Sequence, residues 1–520
     1  MYERSDYVGG RSTVIWPWND EPTRPAARST AFTSEWFASD DDAEAEEDPV
    51  ELGAAIFVAA NKNLEKVSPP PLPPALSPRV PRTYPTDSKP TSLATPLSQA
   101  ATVFGLEKVA QGTSGSDEAG TMAIFDGERL VFTESEGWGW WDLGRLFWRY
   151  GRAPLRARAL VKATVQSFLD IYGQGFASYG PFESWTELAR AVNLTHAAAL
   201  TGADFLRSKE VSAGFVNELV AAATQVNYGT PVHEIHGLGA LVSLAASGAS
   251  AIEGGNRRLF EEFVGRSGAA VRLNATVEAL ARLDPSGPGK RARWQVQSSA
   301  GNDTFDAVIL AAPFHQTGIR LAHSGAAARV PEQAYVPLVV TFVLTSSAQP
   351  RPEYFGLKPG ARTPTSVFAT FDTASAAKPA FNSLSYLKQL SAAVAERLTD
   401  RLRDEGGDWP AGTEWHVVKL FSSASLSDAL LEDVFGAGAV GKTVEKEWLA
   451  YPRLEPVTWA GDVAEVRLDE GLYYVNGFER FISTMETSTV AAFNVVSLLL
   501  SDLFGYSAPA SWAEWDVGEV

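Results

Sequence analysis

The chain has 520 residues, 45% of them hydrophobic and 20% charged, enough for a large core divided over two domains. Its formal net charge of −18 argues against a phosphate-backbone partner, so no nucleic-acid role is expected. It contains no cysteine, which excludes disulfides, thiolate metal sites and cysteine nucleophiles.

In chain order, the first informative stretch is MYERSDYVGGR, where Glu3 stands just ahead of Gly9-Gly10-Arg11. In a dinucleotide-binding βαβ unit an acidic side chain ends the second strand and holds a ribose hydroxyl, about 20 residues after a glycine-rich turn. Here only Met1 and Tyr2 precede it, so the sequence is expected to begin inside such a unit, without its first strand, glycine turn and helix. Residues 19–48, with the run SDDDAEAEED, and residues 67–98, dense in proline, cannot bury enough apolar area to offset chain entropy. Both are expected to be disordered insertions.

MAIFDGERLVFTES predicts a hairpin about Asp126-Gly127. From Leu143 to about Leu244, Ala, Leu and Glu recur at helical spacing. Ahead of and within that region lies an aromatic run, Trp138, Trp140, Trp141, Phe147, Trp148 and Tyr150. It fits the lining of an apolar slot, a membrane-surface contact or core packing, and core packing is the expectation because aromatics bury large areas wherever they fall. His233 and His236, three apart in PVHEIHG, lack an evident third ligand and predict a polar loop, so no metal site is expected.

Gly254-Gly255-Asn256 then predicts a turn that opens a helix, followed by a strand carrying Val277. ARWQVQSS and FDAVILAAP predict two more strands, the second ending at Ala311-Ala312-Pro313. YVPLVVTFVL and EWHVVKLFS predict others, and LYYVNGFERF predicts a strand ending at Gly477 that leads into a helix from about Thr484. A helix start presents free N–H groups and partial positive charge, which suits the negative charge of a reduced flavin. Met485 and Glu486 occupy that position. AAFNVVSLLL is too short to span a bilayer and holds Asn494 and Ser497, so no transmembrane helix is expected. No signal peptide begins the chain, and three glycosylation acceptors occur, at Asn193, Asn274 and Asn302.

The order YERSDYVGGR, GGN-helix-strand, AVILAAP, YVNGFER-helix resembles that of a two-domain FAD-dependent oxidase of the amine oxidase type. The runs LVFTESEGWGWWDLGRLFWRYG, VNYG, AIEGGN, KEWLAYP and LYYVNGFERFISTMETSTVAAFNVV closely resemble the prenylcysteine oxidase (prenylcysteine lyase) family, from Tyr2 to about Tyr506 apart from the two insertions. The resemblance implies an α/β fold with an FAD-binding Rossmann-like domain interleaved with a mixed α+β substrate domain. The FAD part would comprise residues 1–18, 49–66, 247–315 and 446–506, and the substrate part 99–246 and 316–445.

The same resemblance implies FAD as cofactor, a prenylcysteine and O2 as reactants, and an isoprenoid aldehyde, cysteine and hydrogen peroxide as products. By position, Glu3 would bind the adenosine ribose, Gly9, Gly10 and Arg11 would pass the pyrophosphate, and Val277 would present its backbone to the adenine. Gly477 would approach the flavin, and Met485 and Glu486 would meet the isoalloxazine end. No proton-transfer residue stands out. The family also implies a lysosomal, vacuolar or secretory location and leaves a peripheral membrane contact open. The rival readings are another oxidoreductase of the amine oxidase type and a form unable to hold FAD for want of its glycine turn.

Overall fold

The computed structural model describes residues 1–19, 47–53, 57–58, 100–101, 104–110, 122–134, 140–172, 181–245, 249–285, 287, 290–322, 324–371, 377–458 and 460–506. The acidic stretch at 20–46, the proline-rich stretch and Trp138 lie outside the described residues.

The fold is mixed α/β. Its largest sheet has seven strands in the order β17-β13-β16-β15-β14-β5-β6. These are β5 (Met122–Phe125), β6 (Leu130–Thr133), β13 (Tyr335–Thr345), β14 (Ser366–Ala369), β15 (Ser383–Gln389), β16 (His416–Ser422) and β17 (Val440–Pro452). All neighbours run antiparallel except β14 and β5. β13 reads as a continuous apolar run because both of its faces are covered. Leu338, Val340, Phe342 and Leu344 pack with Trp415 and Val417 on one side, while Val343 joins Val418, Leu420 and Phe435 on the other.

The predicted hairpin is β5–β6, and its turn forms because Asp126 accepts hydrogen bonds from the Glu128 and Arg129 amides, both at 2.9 Å.

Four smaller sheets make up the rest. β1 (Val14–Ile15) pairs with β2 (Val50–Glu51), and β7 (Ala249–Ile252) lies between β3 (Phe57–Val58) and β4 (Lys108–Ala110). A four-stranded sheet has the order β10-β9-β8-β12, from β8 (Val277–Leu283), β9 (Arg293–Ser298), β10 (Gly301–Phe305) and β12 (Arg320–Ala322). In the last, β19 (Leu472–Tyr474) sits between β11 (Val308–Leu310) and β18 (Arg467–Asp469), parallel to β11.

The helical layer includes α1 (Trp140–Tyr150), α2 (Ala153–Leu169), α3 (Trp185–Ala191), α4 (Ala221–Tyr228) and α5 (Gly237–Leu244), with α6 (Arg257–Ser267) and α7 (Met485–Phe504) completing the elements that shape the site. Val490, Ala491, Val495 and Leu498 of α7 share a core with Trp185 and Leu188 of α3 and with Leu238 and Leu241 of α5.

The structure corrects several expectations. The strand before α7 stops at Tyr474, and Gly477 lies in the 3-10 turn Asn476–Arg480. β11 ends at Leu310, short of Ala311-Ala312-Pro313. Residue 446 falls inside β17, which pairs with β13 without a break there. α7 has 20 residues and is long and apolar enough to cross a membrane, because the helix begins well before the apolar run AAFNVVSLLL. Phe147 and Trp148 are exposed rather than core, while Tyr150 is buried.

Candidate cofactor and active site

Glu3 lies in extended chain beside residues 270–275, with a parallel bridge between Tyr2 and Arg272. Its amide donates to the Arg272 carbonyl at 2.9 Å, and its own carbonyl accepts from the Ala275 amide at 2.9 Å. One carboxylate oxygen accepts from the Ser5 amide at 2.8 Å, which starts the bend toward the glycines. That strand pairing sets Glu3 two residues ahead of Val277, at the start of β8, on the neighbouring stretch.

Gly9 and Gly10 have φ of +107° and +57°, and the Ser12 amide closes the turn on the Gly9 carbonyl at 3.0 Å. A side chain on Gly9 would stand 2.8 Å from the Ser12 carbonyl oxygen and 3.9 Å from Phe260 of α6. The turn therefore rests on the same helix that Gly254-Gly255-Asn256 opens. Gly255 has φ of +104°, and a Cβ there would strike Val14 of β1 at 2.4 Å. These glycines let the backbones of β1, the first turn and the start of α6 approach one another.

Arg11 leaves this turn in another direction. One guanidinium nitrogen donates to the Ala450 carbonyl of β17 at 2.8 Å, and another pairs with Glu479. Glu479 also accepts from the Tyr335 hydroxyl at 2.8 Å. Burial alone would lower the Arg11 pKa, but Glu479 and then Tyr335 outweigh it and raise it, so the group is a firm cation. Tyr228 and Tyr451 stand beside this cluster with ring centroids 5.7 Å apart, and burial pushes the Tyr451 hydroxyl up to about 12. Arg11 thus ties the glycine turn to the large sheet and to the turn that carries Gly477.

Sequence reasoning missed the next group. Glu51 of β2 accepts from the Asn256 amide at 2.5 Å, and Lys419 of β16 donates to the Glu51 carbonyl at 2.6 Å. Burial raises the Glu51 pKa and lowers that of Lys419, each opposing its own charged form. The Lys419 ammonium lies 4.8 Å from the centre of the Phe421 ring and 5.7 Å from that of Phe342. Ser12 Oγ, the second carboxylate oxygen of Glu51 and the Trp448 indole N–H are all buried without a hydrogen-bond partner among the described residues. Buried polar atoms are normally satisfied, so these three are suited to a bound polar group beside the glycine turn. The available signal was Val50-Glu51-Leu52-Gly53, a short run set against the acidic stretch.

At the start of α7, Thr484 and Thr487 form a reciprocal capping box, which satisfies part of the helix end. Met485 packs against the cluster of Ala101, Ile252 and Leu259, which also holds Phe260. The structure thereby brings Met485 near the same helix as the Gly9 turn. Glu486 accepts from the buried Tyr172 hydroxyl at 2.5 Å, which holds the tyrosine pKa well up, burial being the larger cause. Gly477 faces elsewhere: a Cβ there would meet the Trp185 indole nitrogen at 2.5 Å, so its missing side chain makes room for a buried tryptophan.

His236 is buried, not part of a polar loop. Its Nδ1 accepts from the Gly239 amide at 2.9 Å as the N-cap of α5, which leaves the proton on Nε2, 3.2 Å from the Arg480 carbonyl. A cleft of about 370 Å³ lined by Arg291, Asp306, Arg467, Tyr473 and Asp502 lies at the far end of α7. Its Arg467 is already paired with Asp502 and Glu183, and neither the Gly9-Gly10 turn nor the Gly254-Gly255 turn lines it.

These features define a mixed α/β protein in which the Gly9-Gly10 and Gly254-Gly255 turns lie against the start of α6. Residues 132–508 match the family described as "Prenylcysteine lyase", and the chain belongs to that family. It is 29% identical to the farnesylcysteine lyase of Arabidopsis thaliana over 400 residues, 74% of this chain and 71% of that protein. It is 28% identical to prenylcysteine oxidase 1 of Mus musculus over 397 residues, 73% of this chain and 72% of that protein. Among solved structures, putrescine oxidase bound to putrescine superposes with a TM-score of 0.46 at 12% identity, covering 96% of this chain and 92% of that one. A fatty acid isomerase from P. acnes gives 0.48 at 11% identity, covering 97% and 92%.

Proposed function

We propose that the protein is an FAD-dependent oxidase that cleaves prenylcysteines. A prenylcysteine, water and O2 would yield an isoprenoid aldehyde, free cysteine and hydrogen peroxide. The observation that carries this reading is the family match across residues 132–508.

The residues present fit the cofactor. Ser12 Oγ is a buried hydroxyl without a partner among the described residues beside the Gly9-Gly10 turn, and that turn is too close to its surroundings to admit a side chain at Gly9. Glu3 would hold the adenosine ribose, the backbone of Gly9, Gly10 and Arg11 together with the Ser12 hydroxyl would pass the pyrophosphate, and Val277 would offer its backbone to the adenine. Met485 and Glu486 would lie at the isoalloxazine end. When bound, FAD supplies acceptance of the hydride from the allylic carbon next to sulfur and its delivery to O2.

The chain's own work is to bind, orient and exclude water. Arg11 holds the glycine turn against β17 and Glu479, so the cofactor side and the large sheet keep a fixed relation. Sulfur and the double bond of the substrate stabilise the positive charge that develops, so no protein nucleophile or metal is required.

Purification and a visible spectrum test the cofactor claim, and peroxide release tests the substrate. Flavin absorbance with peroxide from farnesylcysteine supports the reading. Peroxide from putrescine but not farnesylcysteine would move the protein to the amine-oxidising class, and a colourless, inactive protein would remove the enzyme claim. Lysosomal, vacuolar or secretory residence belongs to the same proposal. Asn193, Asn274 and Asn302 are all exposed, as glycan acceptors must be. A mobility shift on glycosidase treatment of the native protein tests it.

A further inference from the structure

α1 has two apolar faces. One buries Leu146 and Tyr150 in the helical core. The other carries Phe147 at 52% and Trp148 at 91% exposure. An isolated exposed apolar residue needs no explanation, but adjacent large aromatics facing outward on one helix mark an interaction surface. α2 follows after Gly151 and Arg152, and it presents Leu155, 56% exposed, together with exposed Arg158 and Lys162. Arg152, Arg158 and Lys162 form no ion pair among the described residues.

The charge here runs opposite to that of the molecule. Residues 142–162 contain Arg145, Arg149, Arg152, Arg156, Arg158 and Lys162 against one acid, Asp142, in a chain of net charge −18. α2 itself contains no acidic residue. Exposed aromatics flanked by cations match a bilayer interface, where amphipathic rings settle at headgroup depth and cations meet lipid phosphates and carboxylates.

We propose that the α1–α2 face docks the protein on an anionic lipid membrane. Charge complementarity selects this occupant, and the inference stands independently of the substrate proposed above. The test is flotation of the full chain with phosphatidylcholine vesicles, with and without about one third phosphatidylserine. The wild-type chain should float with the anionic vesicles and be released by high salt. F147S/W148S should weaken partitioning at least about ten-fold. R158Q/K162Q should weaken it roughly thirty-fold at low salt. Both variants should melt with the wild type, because the altered side chains are exposed. A wild type that never floats overturns the proposal, as does an F147S/W148S variant that floats equally well. If instead F147S/W148S converts a dimer to a monomer by light scattering and no vesicle binding occurs, the face binds a second copy and the membrane reading falls.

Discussion

Two helices, α7 and α1, show how little bulk hydropathy says about which way a surface faces. α7 is the more apolar and, by length and composition, is long enough to cross a bilayer, yet its Thr487, Asn494 and Ser497 are buried inside the protein. Asn494 is fully buried, and its side-chain amide both donates to the Phe182 carbonyl and accepts from the Phe182 amide, each at 2.8 Å. Thr487 closes the capping box and also donates to the Ile482 carbonyl at 2.9 Å. α1 is shorter and carries more charge, yet it holds the most exposed large hydrophobic side chain among the described residues, Trp148. What separates the two helices is where their large apolar side chains end: Val490, Val495 and Leu498 of α7 in the core, Phe147 and Trp148 of α1 at the surface.

That contrast can be broken most severely at Asn494. Asn494→Ala should cost about 4 kcal/mol, because it opens a cavity and strands a buried N–H and C=O at Phe182. Urea unfolding measures it, and a cost below about 1 kcal/mol would mean that α7 is not held in the core by this pair.

His236 sharpens the comparison on α5. Burial lowers its pKa from 6.5 to about 4. The folded state therefore resists a proton that the unfolded chain accepts. The stability is fully present above pH 6.5 and is lost as pH falls from there toward about 4, by roughly 3 kcal/mol in all. His236→Asn keeps an acceptor for the Gly239 amide and should flatten the stability profile across that window. An unchanged slope would assign the pH dependence to other groups.

Thr484→Ala removes one half of the capping box and should cost about 1 kcal/mol in the same unfolding assay. Trp148→Ser should change stability by less than about 0.5 kcal/mol, since its side chain touches little of the protein. A larger loss on the last change would show that α1 is packed by this face after all.

Much of the architecture was legible in sequence where local chemistry decides it. The Asp126 turn, the β13 run and the Gly255-Asn256 helix start follow from turn residues, continuous apolar stretches and caps. β15, SLSYLKQ, and the first half of β17, VGKTVEKE, were not legible, because a strand whose exposed face is polar lacks an apolar signature. Around the glycine turns, Glu3, Gly9, Gly10 and Met485 were named from motif order. Glu51, Lys419 and Ser12 were missed because burial makes them distinctive, and burial is set by residues hundreds of positions away. In the aromatic run, core packing holds for Tyr150 but not for Phe147 and Trp148, because core and surface draw on the same side chains.

The ties of Arg11 have a consequence for how the chain is made. Its partners lie 439 and 468 residues further on, and the Glu51 carbonyl waits for Lys419, 368 residues later. At ordinary rates of synthesis this segment leaves the ribosome about 20 seconds to a minute and a half before those partners exist. During that interval Val14, Ile15, Trp16 and Trp18, all buried in the finished protein, have no core to enter. This segment is among the last to settle, and chaperone occupancy of it during synthesis should be correspondingly long.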